Sequence, residues 1–218
     1  MGDSADPIGA LLDRLRSDRI VAVVRTETSS DAMRAALAII ASGIRIVEIT
    51  FTTPGAAAVI ERLRQDHGPE IIIGAGTVTQ PEQLGEARAA GADFAVSPGW
   101  SSKLVHAARD VGVPFVPGVL TPTEMQRAVM TSVRLVKLFP ADLVAPNYLR
   151  AIATVFPALE LMPTGGVDAS NAAAWLSAGA IAVGVGGGLV AVGDGPDVIR
   201  GRAAALLTAV RSPEGRPA

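Results

Sequence analysis

The chain has 218 residues, a net charge of −2 at pH 7, 49% apolar residues and no cysteine. These values predict one folded domain spanning 1–218, and they exclude disulfides, zinc–thiolate sites and a catalytic thiol. They give no electrostatic reason for binding nucleic acid or an anionic membrane. Because the first residues are too charged for a secretory signal and no apolar run reaches membrane-spanning length, we expect a cytoplasmic protein.

Short apolar runs alternate with segments of helical spacing along the chain. The first such segment predicts a helix within residues 1–18, eight strand–helix units follow, and residues 211–218 are expected to form a frayed tail. The predicted strands are Ile20–Arg25, Ile44–Thr50, Glu70–Thr77, Asp93–Gly99, Val113–Val119, Val133–Phe139, Glu160–Val167 and Ala180–Val190. The predicted helices after them lie within 32–41, 54–64, 81–90, 101–111, 124–130, 146–156, 172–178 and 197–210.

Continuous apolar strands between helices indicate a parallel sheet that is covered on both faces. Eight such units predict an α/β fold of the (β/α)8 TIM-barrel type, a single domain with an extra N-terminal helix, and an open doubly wound sheet is the alternative. The absence of a Gly-x-Gly-x-x-Gly pattern after the first strand weakens the dinucleotide-binding form of that alternative. In such barrels the active site lies at the carboxyl ends of the strands, so polar residues there are candidates for function.

A lysine and a glutamate interrupt two of the apolar strands. Lys137 lies in the sixth strand, on the same face as Leu135 and Phe139, and Glu48 lies in the second. Inward residues of even-numbered strands share a layer of a barrel, so the two side chains can approach each other. Burial favours the neutral amine, which attacks ketones, and a nearby carboxylate can move protons. A structural ion pair is the alternative, but burying charges is a poor means of gaining stability, and we favour catalysis.

Glycine-rich turns follow the seventh and eighth strands. They contain Thr164, Gly165 and Gly166 in PTGGV, and Gly186 and Gly187 in VGVGGG. Glycine lets backbone N–H groups approach an anion closely, and barrels often bind phosphate after these two strands. The turns are therefore candidate phosphate-binding segments, although each is also compatible with a simple tight turn.

Three further polar residues near strand ends are candidates for binding. Arg25 is equally consistent with holding a carboxylate or phosphate and with forming a salt bridge at the rim. Thr52 and Thr77 carry hydroxyls that suit a carboxylate or carbonyl, although loop threonines are more often turn or cap residues. The only histidines, His67 and His106, lie in predicted surface helices or at their ends, so no metal is expected.

Six motifs, EITFTTP, GAGTV, FAVSPG, PGVLTPTE, VKLFPAD and PTGGV, occur in this order between Ile20 and Val190. They resemble the 2-keto-3-deoxy-6-phosphogluconate (KDPG) aldolase family, whose members often also act as 4-hydroxy-2-oxoglutarate aldolases. The resemblance implies a (β/α)8 barrel, a homotrimer, and class I (Schiff-base) cleavage of KDPG to pyruvate and glyceraldehyde 3-phosphate without metal or cofactor. The implied partner is a small, phosphorylated 2-keto acid, with no nucleic acid and no membrane.

The resemblance also assigns roles to matching positions. It implies that Lys137 forms the Schiff base and that Glu48 shuttles protons. It places Thr77 near the pyruvyl group and Pro98 and Phe139 in the wall of the pocket. The turn residues Thr164, Gly165 and Gly166 match the phosphate site after the seventh strand.

Two positions depart from the family pattern. Thr52 stands where some members have a substrate-binding arginine, and Arg25 can supply that charge, as the matching arginine does in members with a VxR first strand. Gly187 stands where many members have a phosphate-binding serine, so one hydroxyl is lost while the backbone N–H remains. Two rival hypotheses stay open: a barrel isomerase or epimerase acting on phosphosugars without an imine, and a barrel without enzymatic activity.

Overall fold

The computed structural model describes residues 6–211. Its strands are β1 Ile20–Val24, β2 Ile46–Thr50, β3 Ile72–Gly76, β4 Phe94–Val96, β5 Phe115–Val116, β6 Gly118–Val119, β7 Leu135–Leu138, β8 Glu160–Pro163 and β9 Val183–Val185. Its α-helices are α1 Pro7–Asp18, α2 Ser29–Ala41, α3 Ala56–His67, α4 Pro81–Ala89, α5 Ser102–Val111, α6 Pro122–Met130, α7 Pro146–Val155, α8 Ala172–Ser177 and α9 Pro196–Arg211. Short 3-10 helices cover Gly68–Glu70 and Ala141–Leu143. Residues 1–5 of the predicted first helix and 212–218 of the predicted tail lie outside the described residues, whereas Arg211 is helical.

Local hydrogen bonds explain where several helices begin. At α2, Thr28 Oγ1 accepts a bond of 3.1 Å from the N–H of Asp31. At α6, the Glu124 carboxylate accepts bonds from the N–H groups of Leu120 and Thr121, at 2.9 and 2.8 Å. Burial raises the pKa of Glu124, but these bonds outweigh it, and the pKa lies below its ordinary value. An ionised Glu124 therefore fixes the turn between β6 and α6.

The strands pair in parallel, as predicted, and form two sheets. The larger sheet has the order β5-β4-β3-β2-β1-β9, and the smaller has the order β6-β7-β8. A bridge between Thr164 and Gly184, and a bond of 3.1 Å from the N–H of Ile181 to the carbonyl of Leu161, join the two sheets on the side of β8 and β9. Since β1 has the last strand as its second neighbour, the order differs from that of a doubly wound sheet, which reverses at a switch point near its first strand.

The fifth predicted strand is interrupted rather than continuous. Pro117 separates β5 from β6, because proline has no N–H to donate to a ladder. Its carbonyl still accepts a bond of 3.0 Å from the N–H of Lys137. β5 pairs with β4 and β6 pairs with β7, so this short segment serves both sheets.

The eighth predicted strand is also shorter than expected. Ordered pairing covers only β9, because the N–H groups of Leu189 and Val190 both donate to the carbonyl of Gly186, at 2.8 and 2.9 Å. This bonding closes a turn immediately after the strand. The apolar run Ala180–Val190 was therefore too long as a strand prediction, and its glycines form the predicted turn.

Alternation along the strands divides the buried apolar side chains into two clusters. Val136 and Leu138 belong to the larger cluster, which includes the buried faces of α2, α3 and α9. Leu135 and Ile46 belong to a smaller cluster that also contains buried leucines of α1, such as Leu12. Because Ile46 and Leu135 precede Glu48 and Lys137 by two residues, the charged pair lies directly beyond an apolar layer on the same faces of the strands.

Within the described residues, no helix combines the length and the apolar character needed to cross a bilayer.

Candidate active site

The predicted approach of Lys137 and Glu48 is confirmed. Lys137 Nζ lies 3.7 Å from Glu48 Oε1, and the two side chains are 5% and 0% exposed. The glutamate comes from β2 of the larger sheet and the lysine from β7 of the smaller sheet. Within residues 6–211, neither carboxylate oxygen of Glu48 has a hydrogen-bond partner. Burying an unsatisfied carboxylate is costly, and such groups concentrate at functional sites.

Glycine residues in β3 create the space for these side chains. A methyl group on Gly76 would lie 2.0 Å from Glu48 Oε1 and 2.6 Å from its Cδ. One layer below, a methyl group on Gly74 would lie 2.3 Å from the ring of Phe94. The GAG sequence of β3 is thus a packing requirement, because the glutamate lies across the strand where any side chain would displace it.

The backbone of Lys137 is held on both sides by its neighbouring strands. It pairs in register with Gly118 of β6 and with Met162 of β8. Its Nζ lies 5.2 Å from the centre of the Phe139 ring, a distance at which an aromatic face attracts a cation. The strand pairing therefore fixes the backbone of Lys137, and its amine lies near an aromatic ring and a carboxylate.

A cavity of about 570 Å³ opens beside Lys137. The sequence-predicted site residues that line it are Arg25, Lys137, Phe139, Thr164, Gly165, Gly166, Gly186 and Gly187. Glu48, Thr52, Thr77 and Pro98 are not among the described residues that line it. The structure thus brings one member of the charged pair, the candidate arginine and both glycine turns around a single opening.

Arg25 and Thr77 form a pair at the edge of this cavity. Arg25 Nη2 donates a hydrogen bond of 3.1 Å to Thr77 Oγ1, and within residues 6–211 Arg25 makes no salt bridge. Thr77 has φ 55°, a left-handed conformation that is uncommon for a residue other than glycine. Thr77 therefore affects the cavity through Arg25, because its hydroxyl orients the guanidinium of that lining residue.

Thr52 and its neighbours connect the ends of β1 and β2. Thr52 is exposed, and its Oγ1 lies 3.0 Å from that of the fully buried Thr50. Thr53, also buried, accepts a bond of 3.1 Å from the N–H of Thr26 through its hydroxyl. Strand alternation places Thr50 on the same face of β2 as Glu48, one layer nearer the carboxyl end of the strand.

Pro98 is fixed by its backbone rather than by its ring. Ser97 Oγ donates a bond of 2.7 Å to the carbonyl of Gly99, which closes the turn after β4. The carbonyl of Pro98 approaches β6 so closely that a methyl group on Gly118 would lie 2.3 Å from it. Gly118 therefore lets the turn after β4 pack against the strand that pairs with Lys137.

The turn after β8 has a conformation that requires glycine. Gly165 and Gly166 have φ 96° and 67°, values that side chains strongly disfavour. Asn171 supports the turn, since its Nδ2 donates a bond of 2.8 Å to the carbonyl of Gly166 and its Oδ1 accepts one of 3.1 Å from the N–H of Asp168. These contacts hold the turn at the mouth of the cavity.

Asp168 lines the cavity, although the sequence patterns did not mark it as a site residue. Its Oδ1 accepts hydrogen bonds from the hydroxyl and the N–H of Ser170, at 2.5 and 2.8 Å. These bonds hold the pKa of the Asp168 carboxyl below its ordinary value. Its position two residues after Gly166 was the feature of the sequence that could have placed it in the site.

Within the described part of the chain, no three histidine, aspartate or glutamate side chains come together as a metal site would require.

Comparison with known proteins gives one consistent result. The family model for KDPG and KHG aldolases matches residues 11–200. The 2-dehydro-3-deoxy-phosphogluconate aldolase of Treponema pallidum is 38% identical over 168 residues, which are 77% of this chain and 80% of that protein. The KHG/KDPG aldolase of Escherichia coli K12 is 35% identical over 158 residues, 72% of this chain and 74% of its own length.

Solved structures agree with the sequence matches. A native KDPGal structure superposes with a TM-score of 0.82 at 30% identity and covers 88% of this chain and 94% of its own. The KDPG aldolase of Legionella pneumophila, with pyruvate captured as a covalent carbinolamine intermediate, gives a TM-score of 0.78 at 29% identity, with 94% and 96% coverage.

Proposed function

This chain belongs to the KDPG and KHG aldolase family, and we propose that it is a class I aldolase, a lyase that cleaves KDPG to pyruvate and glyceraldehyde 3-phosphate. The observation that carries the proposal is the buried pair of Lys137 and Glu48, with the lysine at the wall of a cavity of about 570 Å³. A buried amine is suited to attack a ketone, and a carboxylate 3.7 Å away is suited to move the protons of that reaction. The named relatives are aldolases, which speaks against the isomerase alternative.

The reaction proceeds through an imine on Lys137. The neutral amine adds to the keto carbon of the substrate, and Glu48 delivers the proton with which the resulting hydroxyl leaves as water. The protonated imine then accepts the electron pair of the carbon 3–carbon 4 bond, while Glu48 removes the proton of the carbon 4 hydroxyl. Glyceraldehyde 3-phosphate departs, the enamine is protonated at carbon 3, and hydrolysis of the imine releases pyruvate.

The remaining site residues bind the two ends of the substrate. Arg25, oriented by Thr77, and the loop of Thr52 suit the carboxylate, because a guanidinium and hydroxyls donate hydrogen bonds to it. Pro98 and Phe139 bound the region around the imine. The phosphate-binding residues are Thr164, Gly165, Gly166, Gly186 and Gly187. The same pyruvyl chemistry accommodates 4-hydroxy-2-oxoglutarate, which yields pyruvate and glyoxylate.

The two sheets together form the wall of a (β/α)8 barrel in one domain. Support comes from the Thr164–Gly184 bridge on one side and from Pro117 on the other, where β5 and β6 are two halves of one strand. Helix α1, the extra N-terminal helix of this arrangement, contributes leucines to the smaller cluster. The protein acts as a cytoplasmic homotrimer, as the family resemblance implies. A designed cage made by fusing symmetric oligomeric domains, with a TM-score of 0.83 at 30% identity, supports an oligomer.

Reductive trapping tests the function directly. Borohydride added with saturating pyruvate should leave a reduced pyruvyl adduct on Lys137, found by peptide mapping. The chain has one other lysine, Lys103, which is exposed on α5 and serves as the internal control. The Lys137→Arg variant and a reaction without pyruvate should give no adduct. Absence of an adduct on Lys137 in the wild-type protein would exclude the imine mechanism and favour the isomerase hypothesis.

A further inference from the structure

The cavity wall contains an anionic side chain that the proposed mechanism does not use. Among the described residues that line the cavity, three have ionisable side chains: Arg25, Lys137 and Asp168. Asp168 follows the Gly165–Gly166 turn after β8 and also touches the turn after β9. A methyl group on Gly188 would lie 2.9 Å from its Cβ and 3.3 Å from its Cα. Asp168 therefore lies between the two glycine turns that form the phosphate end of the proposed site.

The negative charge of Asp168 is stabilised but not neutralised. Its hydrogen bonds come from the neutral hydroxyl and N–H of Ser170, which favour the ionised form. Within residues 6–211, it makes no salt bridge with a lysine, arginine or histidine. Asp168 thus adds a negative charge to the wall at this end of the cavity.

We propose, on the basis of the function proposed above, that Asp168 is a specificity-determining residue that weakens the binding of a phosphate dianion at the two glycine turns. Their N–H groups attract an anionic group, and the carboxylate repels it. A terminal hydroxyl experiences no such repulsion and can donate a hydrogen bond to the carboxylate. The enzyme therefore accepts 4-hydroxy-2-oxo acids without a phosphate better than the glycine turns alone would allow.

The ratio of kcat/KM for two substrates tests this proposal. The substrates are KDPG and 2-keto-3-deoxygluconate, which differ only in the terminal phosphate. Asp168→Asn keeps an oxygen that can accept from Ser170 and removes the charge, so the ratio should rise about three- to tenfold in favour of KDPG. The upper value corresponds to a dianion about 6 Å from a carboxylate in a water-like dielectric, and screening by salt lowers it. Asp168→Glu, which restores the charge, should give a ratio close to that of the wild-type enzyme.

A remote carboxylate provides the matched control. Asp110 is exposed near the carboxyl end of α5, and Asp110→Asn makes the same change in net charge without touching the cavity. Its substrate ratio should equal that of the wild-type enzyme. If Asp168→Asn does not fold, Asp168→Ser supplies the measurement, because serine also supports a turn of this kind through its hydroxyl.

The possible outcomes separate this inference from the function on which it rests. An unchanged ratio in active Asp168→Asn would overturn it, and so would an equal loss of activity on both substrates, which is the result of a purely structural role. If the wild-type protein cleaves neither substrate and forms no pyruvyl adduct, the proposed function fails and the inference fails with it. A higher ratio that Asp168→Glu reverses supports it.

Discussion

Replacing Gly76 by alanine should displace Glu48 and reduce catalysis. The added methyl group would lie 2.0 Å from Glu48 Oε1, about 1.4 Å inside the nearest ordinary contact. The carboxylate must move by a comparable distance, because the other close atoms are its own Cδ and Cγ. Misplacing a catalytic group by about 1 Å costs about 100-fold in rate. We therefore expect kcat to fall at least about 100-fold, while overpacking destabilises the fold by about 1–3 kcal/mol.

Pyruvate release, coupled to lactate dehydrogenase, measures kcat and KM, and thermal unfolding measures stability. Gly85→Ala in α4 is the matched control, since beyond the adjoining helix backbone no atom lies within 4 Å of its added methyl group. It should retain full activity and gain about 0.5–1 kcal/mol from better helix propensity. Gly74→Ala strains Phe94 instead and should lower stability. A folded Gly76→Ala enzyme with kcat within a few-fold of wild type would refute the role given to Glu48.

Three further predictions concern charge. Lys137→Arg should show no turnover in the pyruvate assay, because guanidinium stays charged and forms no imine; measurable cleavage would exclude Lys137 as the nucleophile. Glu48→Gln should lower kcat by about 10²–10⁴, with the fold intact by circular dichroism; near-normal kcat would point to another proton carrier. Glu124→Gln should cost about 1 kcal/mol of stability near neutral pH. Because folding lowers the pKa of Glu124, the stability difference between the variant and the wild-type protein should be fully present above the ordinary carboxyl pKa. It should disappear as the pH falls through the lowered pKa of the folded protein, as thermal unfolding at a series of pH values would show. A difference independent of pH would contradict the ionised cap.

The sequence was most informative where a residue conflicted with its surroundings. Lys137 and Glu48 are charged residues in apolar strands, so their types alone marked them for function. Their separation of 3.7 Å could not be predicted, because the pairing of distant strands depends on the whole sheet and not on local sequence. Pro117 could have been recognised as a break, since it has no N–H, but the surrounding apolar residues favoured a continuous strand.

Two site features had no clear marker in the sequence. Thr77 has a left-handed backbone that its residue type disfavours, and only the packing around it selects that conformation. Asp168 follows the Gly165–Gly166 turn closely, but nothing in its residue type indicates that it lines the cavity. A local sequence pattern predicts hydrogen bonds to neighbouring residues, but not which cavity the residue lines in the folded protein.

The division of the strands into two sheets has a consequence for the charged pair. Across the described residues, the two sheets meet at two crossings: Pro117 on one side, and the Thr164–Gly184 bridge with the neighbouring bond from Ile181 N–H to the Leu161 carbonyl on the other. Neither crossing is a continuous ladder, so no single sheet sets the distance between the amine and the carboxylate. That distance therefore depends on how the two sheets are positioned relative to each other. A side chain at Gly184, which would press on Thr164, would therefore adjust reactivity without altering either reacting group.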